Sequence, residues 1–313
     1  MSADVDMVLP FRLDTLGVRG RAIRMGPLLD AVLARHAYPP AVATLLGEAM
    51  VLAAALSSGL KYDGIFTLQI RGDGPVQLVV TDITSDGAVR GYAQYDRERL
   101  AQIEAERAAL GVPHLCGSGT MAFTVDQGAD TERYQGVVAL EGATLADCAH
   151  HYFRMSEQIR TGIKLAVEPK QVGNRTTWQA GAVMLQQLPS RELIAELDGE
   201  EREEGWRKAV VLLASARASE MVDDQAPVER LLYRLFHEDG VRVFPQRRLD
   251  DRCRCSRERV DSVLRSIPRA ELDDMKEADS GRVVVTCEFC ARKYSYTDDD
   301  IAALFSRDPS KLA

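Results

Sequence analysis

A chain of 313 residues, 46% of them hydrophobic, can bury a substantial core, and its length favours two or three structural units over one. Its 39 basic and 47 acidic residues leave a net charge of -8, which argues against a nucleic-acid partner, because phosphate binding draws on a basic surface. The most apolar run, Ala49 to Leu56, is eight residues long against the about 20 of a bilayer span; no basic amino-terminal segment leads into an apolar run and cleavage site, so a soluble intracellular protein without a membrane partner is expected.

Residues 1–188 read as an α+β domain. Pro40 to Gly59, rich in Ala, Leu, Val and Met, predicts a buried helix ending at the glycine. Ile65 to Ile70, Val76 to Asp82 and Ala88 to Tyr95 predict strands. The turns Arg71-Gly72-Asp73-Gly74-Pro75 and Ser85-Asp86-Gly87 join them into an antiparallel meander. The first turn lacks a G-x-G-x-x-G or Walker pattern, so it reads as a turn and not a nucleotide site. A charged surface helix is expected over Asp96 to Leu110, and strands over Thr120 to Val125 and Tyr134 to Leu140.

Leu145, Cys148, Tyr152, Met155 and Ile159 recur at helical spacing and give Leu145 to Arg160 one apolar face. Cys148 on that face reads as a small buried thiol. His150 points away from it and His151 sits at its flank, so both read as solvated or locally hydrogen-bonded. Cys116, within His114-Leu115-Cys116-Gly117-Ser118-Gly119, has no second ligand at a useful spacing and reads as part of a glycine-rich loop. Gly162 to Val167 and Trp178 to Leu188 are the closing strands.

Residues 189–245 read as a charged helical linker. Arg191 to Lys208 centres on Glu200-Glu201-Arg202-Glu203-Glu204, the pattern of a solvated helix or linker. Trp206, Ala209, Val210 and Leu213 follow as one apolar stripe, and Pro227 starts a second helix. Val228, Leu231, Leu232, Leu235 and Phe236 form one narrow apolar face on it. Such a face docks weakly. The segment is therefore expected to be conditionally ordered, with the folded unit that follows it as its support.

Residues 246–313 form a small cysteine unit. Ser256 caps a helix on which Val260, Val263, Leu264 and Ile267 face one way until Pro268. Ser280-Gly281 turns the chain into a strand from Arg282 to Thr286, and Arg292 to Tyr296 returns as its partner, placing Cys287 to Cys290 in a knuckle. Thr297, followed by aspartates, caps a last helix carrying Ile301, Leu304 and Phe305.

Cys253 and Cys255 form a C-x-C pair, and Cys287 and Cys290 a C-x-x-C pair 31 residues further on. Together they make a candidate tetrahedral zinc site with sulfur ligands at about 2.3 Å. Each pair is also close enough in sequence to close on itself as a disulfide. Arg252, Arg254, Arg257, Arg259, Arg292 and Lys293 can offset the thiolate charge and lower the thiol pKa values from about 8.5. Structural zinc contributes about 10 to 16 kcal/mol, as much as the about 5 to 15 that stabilises a whole domain. Oxidation of two ligands to a disulfide would therefore release the metal and unfold the unit. A permanent structural site is the alternative from spacing alone. A thioredoxin-like role for Cys287 and Cys290 leaves Cys253 and Cys255 idle and lacks a βαβ setting.

Cys253-Arg-Cys-Ser-Arg-Glu-Arg259, the spacer, Val285-Thr-Cys-Glu-Phe-Cys290 and Tyr294 closely resemble the zinc switch of the bacterial redox-regulated holdase chaperones, the 33 kDa chaperonin family. Leu68-Gln-Ile-Arg-Gly-Asp-Gly-Pro75, Val89-Arg-Gly-Tyr92, Tyr152-Phe-Arg-Met-Ser-Glu-Gln158 and Gln186-Gln-Leu-Pro189 extend the resemblance over the chain. It implies a cytoplasmic, ATP-independent stress-response chaperone and not an enzyme. The reduced form would be an inactive monomer with one Zn(II) per chain on Cys253, Cys255, Cys287 and Cys290. Oxidation would release zinc, form Cys253–Cys255 and Cys287–Cys290 disulfides and unfold the linker. The oxidised homodimer would hold unfolding client proteins and prevent their aggregation. Cys116 and Cys148 lie outside the pattern, and no role carries over to them. The alternative is an amino-terminal domain with its own binding or enzymatic role beside a purely structural zinc site; no constellation of nucleophile, base and orienting residue favours it.

Overall fold

The computed structural model describes residues 6–106, 109–128, 134–189 and 197–306. The chain divides into two compact units, the first ending at Asp251 and the second beginning at Arg252. The first opens with strands β1 (Met7–Leu13) and β2 (Val18–Met25), which are antiparallel, then α1 (Pro27–Ala34) and α2 (Pro40–Ser57). The expected meander follows as β3 (Ile65–Gly72), β4 (Val76–Thr84) and β5 (Ala88–Tyr95), antiparallel throughout. Helices α3 (Arg97–Glu106) and α4 (Val112–Cys116) lead to β6 (Gly119–Asp126) and β7 (Tyr134–Ala139). After α5 (Leu145–Tyr152) come the long strands β8 (Thr161–Val172) and β9 (Arg175–Gln187). Residues 107, 108 and 191–196, within the expected helix and charged run, lie outside the described residues.

The linker region contains α6 (Gly199–Ala214), α7 (Ala218–Met221) and α8 (Val228–Phe236). Short strands β10 (Val241–Val243), β11 (Arg247–Arg248) and β12 (Asp250–Asp251) end the unit. One sheet has the order β10-β1-β2-β9-β8, with β11 also on β1, and the other the order β12-β5-β4-β3-β6-β7. Among these pairings β12 on β5 is parallel.

The position of α2 explains its composition. It packs on β2, β8 and β9 of one sheet and on β3, β4 and β5 of the other. Fourteen of its eighteen residues are buried, as expected of a helix apolar all round. The helix is long and apolar enough to cross a membrane by length and composition, with a mean hydropathy of 1.6, and 78% of it is buried between the sheets. The first sheet is covered on both faces. Val8, Ile23 and Met25 join the α2 core, while Met7, Leu9, Phe11 and Leu13 point the other way, toward α6 and α8.

That second face corrects one expectation. The α8 face (Val228, Leu231, Leu232, Leu235 and Phe236) is buried as its spacing demands, but its support is the first sheet. Phe11 stacks on Phe236 with ring centroids 5.9 Å apart. The cover is pinned by Arg24, which donates from Nε to the Met221 carbonyl at 3.2 Å, from Nη2 to Glu220 at 3.2 Å and from Nη1 to Ala226. Gly181 on β9 makes room for this approach: a Cβ there would lie 2.5 Å from the Met221 carbonyl oxygen.

Other departures are local. Helix α5 stops at Tyr152 and continues as one π turn, Phe153–Glu157, which leaves Met155 63% exposed. Cys116 ends a short helix instead of lying in a loop. Both Cys116 and Cys148 are fully buried, and burial pushes their thiols up to about 12 and about 11, as inert core groups. His150 Nε2 accepts from the Ile163 amide at 2.8 Å, and burial lowers its pKa. His151 faces Glu141 at 3.7 Å.

Candidate metal centre

The second unit builds its site on a small scaffold. Helices α9 (Arg257–Arg265) and α10 (Arg269–Asp274) precede the hairpin of β13 (Val283–Thr286) and β14 (Lys293–Tyr296), and α11 (Asp298–Ser306) follows. Ser256 Oγ accepts from the Arg259 amide at 3.3 Å, and Thr297 Oγ1 from the Asp300 amide at 3.2 Å, so both expected caps form. The core is seven buried side chains: Leu264, Leu272, Val283, Tyr294, Tyr296, Ile301 and Leu304. Val263 and Phe305, expected on the apolar faces, are 58% and 39% exposed.

The hairpin register, Thr286 opposite Lys293, sets the knuckle between the strands. The Cys287 amide donates to the Arg292 carbonyl at 2.9 Å and the Ala291 amide to the Cys287 carbonyl at 2.8 Å, with Ala291 at φ 56°. The tight turn aims the amides of Phe289 and Cys290 at the Cys287 sulfur, and that of Arg292 at Cys290. Across from it, Arg259 donates to the Arg254 carbonyl at 2.7 Å and so braces the Cys253–Cys255 loop.

These two supports bring the four sequence-identified cysteines together. Their sulfurs all lie within 4.8 Å of one another, and every one is a free thiol. Cys253 Sγ is 3.7 Å from Cys287 Sγ, and Cys255 Sγ is 3.4 Å from Cys290 Sγ. A tetrahedral ion with sulfur bonds of about 2.3 Å requires sulfur separations of about 3.8 Å, so the cage fits such an ion. An all-sulfur donor set selects a soft or borderline cation over magnesium or calcium. His150, His151, Cys116 and Cys148 take no part in it.

The electrostatics differ from the expectation that nearby arginines depress the thiol pKa values. Burial pushes Cys290 up to about 12, with hydrogen bonds among the thiols adding to the effect, and burial also raises Cys287 despite its amide donors. Arg257 is occupied elsewhere, on the Ser295 carbonyl at 3.3 Å, on Asp300 at 3.3 Å and over the Tyr296 ring at 4.3 Å. Arg292 is the basic side chain whose charge reaches Cys255 and Cys290, and a bound divalent cation would add the larger compensation for four thiolates. Sequence reasoning missed the role of Tyr294, whose hydroxyl donates to Cys255 Sγ at 3.1 Å. Alternation along β14 was the available signal, because it turns Tyr294 and Tyr296 inward together.

Comparison with known proteins agrees with this site and fold. A 33 kDa chaperonin of Caulobacter vibrioides is 41% identical over 289 residues, covering 92% of this chain and 94% of the relative. A 33 kDa chaperonin of Ectopseudomonas mendocina is 37% identical over 296 residues, covering 95% of this chain and 94% of the relative. The crystal structure of the 33 kDa chaperonin (heat shock protein 33 homolog) of Thermotoga maritima superposes with a TM-score of 0.76 at 23% identity, covering 96% of this chain and 97% of that one, and shows the same fold. With the Hsp33 protein family matching residues 6–297, the chain belongs to that family.

Proposed function

We propose that this protein is a redox-regulated, ATP-independent holdase that binds unfolding proteins in the bacterial cytoplasm when oxidised. The observation that carries the reading is the convergence of four thiols within 4.8 Å in a unit with a seven-residue core. Family membership supports the chaperone role.

When bound, Zn(II) compensates the charge of four thiolates and cross-links the Cys253–Cys255 loop to the Cys287–Cys290 knuckle. Tyr294 and the knuckle amides orient the sulfurs and stabilise their ionised form. Peroxide oxidises two thiols to one disulfide and is itself reduced to two waters, so closing both pairs consumes two peroxides. The reading assigns these disulfides to Cys253–Cys255 and Cys287–Cys290, because each pair can close without the tertiary fold. Loss of all four ligands removes the largest stabilising contribution to the second unit, and the linker helices then detach to give the client-binding form, a homodimer.

The test follows light scattering of a thermally unfolding client with reduced, zinc-loaded protein and with peroxide-treated protein. Suppression of aggregation only after oxidation, with one zinc released per chain, is the expected result. Equal behaviour of the two forms would overturn the reading, and peptide mapping of Cys253 to Cys287 would overturn the local pairing.

A further inference from the structure

The first unit contains a cavity of about 370 Å³ that the cysteine chemistry does not use. Phe66, Phe123, Phe153 and Tyr152 furnish its apolar wall. Its charged lining is unbalanced, with Arg19, Arg21 and Lys61 against Glu157. Glu157 already accepts from the hydroxyls of Tyr134 and Tyr152 at 2.5 and 2.6 Å.

Arg21 is the unusual member. It is only 7% exposed, yet among the described residues it has no carboxylate partner. Its Nη1 donates to Gln186 Oε1 at 3.2 Å, a neutral acceptor that also takes a bond from Arg19 Nε at 3.2 Å. The absence of a Cβ at Gly59 admits the guanidinium, whose Nη2 would lie 2.8 Å from that atom. Burial and the Arg19 charge push the Arg21 pKa down to about 10, so the group stays protonated at neutral pH. A buried guanidinium without a counter-charge is costly. Its five donors suit a planar, two-oxygen acceptor, and the aromatic wall beside it suits an apolar body.

We infer that this cavity is a binding site for a small organic acid, its carboxylate on Arg21 and its apolar or aromatic body against Phe66, Phe123 and Tyr152. An inorganic anion would leave the aromatic wall unused, and a neutral aromatic would leave Arg21 unpaired.

The test is isothermal titration of the full-length reduced protein with 3-phenylpropionate, its amide, and acetate. Saturable 1:1 binding of the acid, with the amide and acetate each weaker by at least about tenfold, is expected, that factor being one charge-assisted hydrogen bond or the apolar contact. Arg21→Met should remove the preference for acid over amide. Equal binding of acid and amide overturns the assignment, as does no binding of the acid at a Kd of about 1 mM or below. The ligand comparison needs no variant, so a failure of Arg21→Met to fold leaves the test intact.

Discussion

Replacing Arg24 by methionine keeps the bulk of the side chain and removes the guanidinium donors that tie Glu220, Met221 and Ala226 to the first sheet, while Lys164 on Ala214 and Lys170 on Asp224 remain. The wild-type guanidinium, 3% exposed, bonds to three carbonyls, those of Glu220, Met221 and Ala226. Hydrogen bonds from a charged donor contribute about 1.5 to 3 kcal/mol each, and three on one group are not additive. Burial lowers the Arg24 pKa, so part of the gain is already offset by desolvation. A net loss of about 2 to 4 kcal/mol in docking follows, which raises the undocked population about 30- to 1,000-fold. The assay is native-state hydrogen exchange on the reduced, zinc-loaded protein. Protection should fall by that factor in α6 and α8 and stay unchanged in β3, β4 and β6. Unchanged protection in α8 would refute the latch; a uniform loss across the first unit would show that Arg24 supports the whole fold and not the linker. If linker release exposes the client surface, the variant should also suppress aggregation without an oxidant.

Three further outcomes can be checked. Cys290→Ser should lose tight zinc binding, measured by chelator competition, and the residues from Arg252 onward should lose dispersed NMR signals even when reduced. Tyr294→Phe, which deletes the hydroxyl 3.1 Å from Cys255 Sγ, should weaken zinc affinity about 10- to 100-fold and hasten metal loss on oxidation. Burial raises the Glu48 carboxyl from 4.5 to about 7, so the folded protein holds that proton more tightly than the unfolded chain. This group's destabilising effect therefore grows as pH rises from about 4.5 and is complete above about 7; Glu48→Gln should stabilise the first unit by about 1 to 3 kcal/mol at pH 8 and leave urea midpoints unchanged at pH 4.

What the sequence reveals depends on where each residue finds its partner. Helix α8 was legible because its five apolar positions meet a single surface, and all five are buried. Strands β1 and β2 and helix α1 were not. Their sheet is covered on both faces, which removes the polar alternation of a half-exposed strand. Arginines 19, 21 and 24 further disguise β2 as surface. Arg24 finds its carbonyls 196 to 202 residues away, a pairing that no local pattern encodes. At the candidate metal site, spacing and turn residues pointed to the four clustered cysteines and the hairpin, whereas the thiol pKa directions depend on burial that the arginine-rich sequence concealed.

The docking of α6 and α8 on the first sheet changes how the proposed switch must work. Cys253 follows by two positions Asp251, the last residue of β12, which lies at the edge of the second sheet. Upstream, β12 pairs with β5 at two positions, β11 with β1 at two and β10 with β1 at three. At about 0.5 to 1.5 kcal/mol per hydrogen bond, such short pairings contribute little alone, and the segment is also anchored by Leu249 in the α2 core, by Arg247 on the Thr84 and Ser85 carbonyls and by Arg35 on Asp251. In the proposed switch, loss of the second unit would have to undo these anchors as it frays β12, then β11 and β10, before reaching Phe236 at the end of α8. Release of β10 and β11 leaves β1 as an edge strand with unpaired amides and carbonyls. Release of α8 bares Leu9, Phe11 and Leu13 on the same strand. One event would therefore expose an apolar face and a backbone edge together. Those are the two features any unfolding chain can match whatever its sequence, by side-chain burial and by strand addition, and they would account for the absence of a specific motif and of an ATP requirement in the proposed holdase.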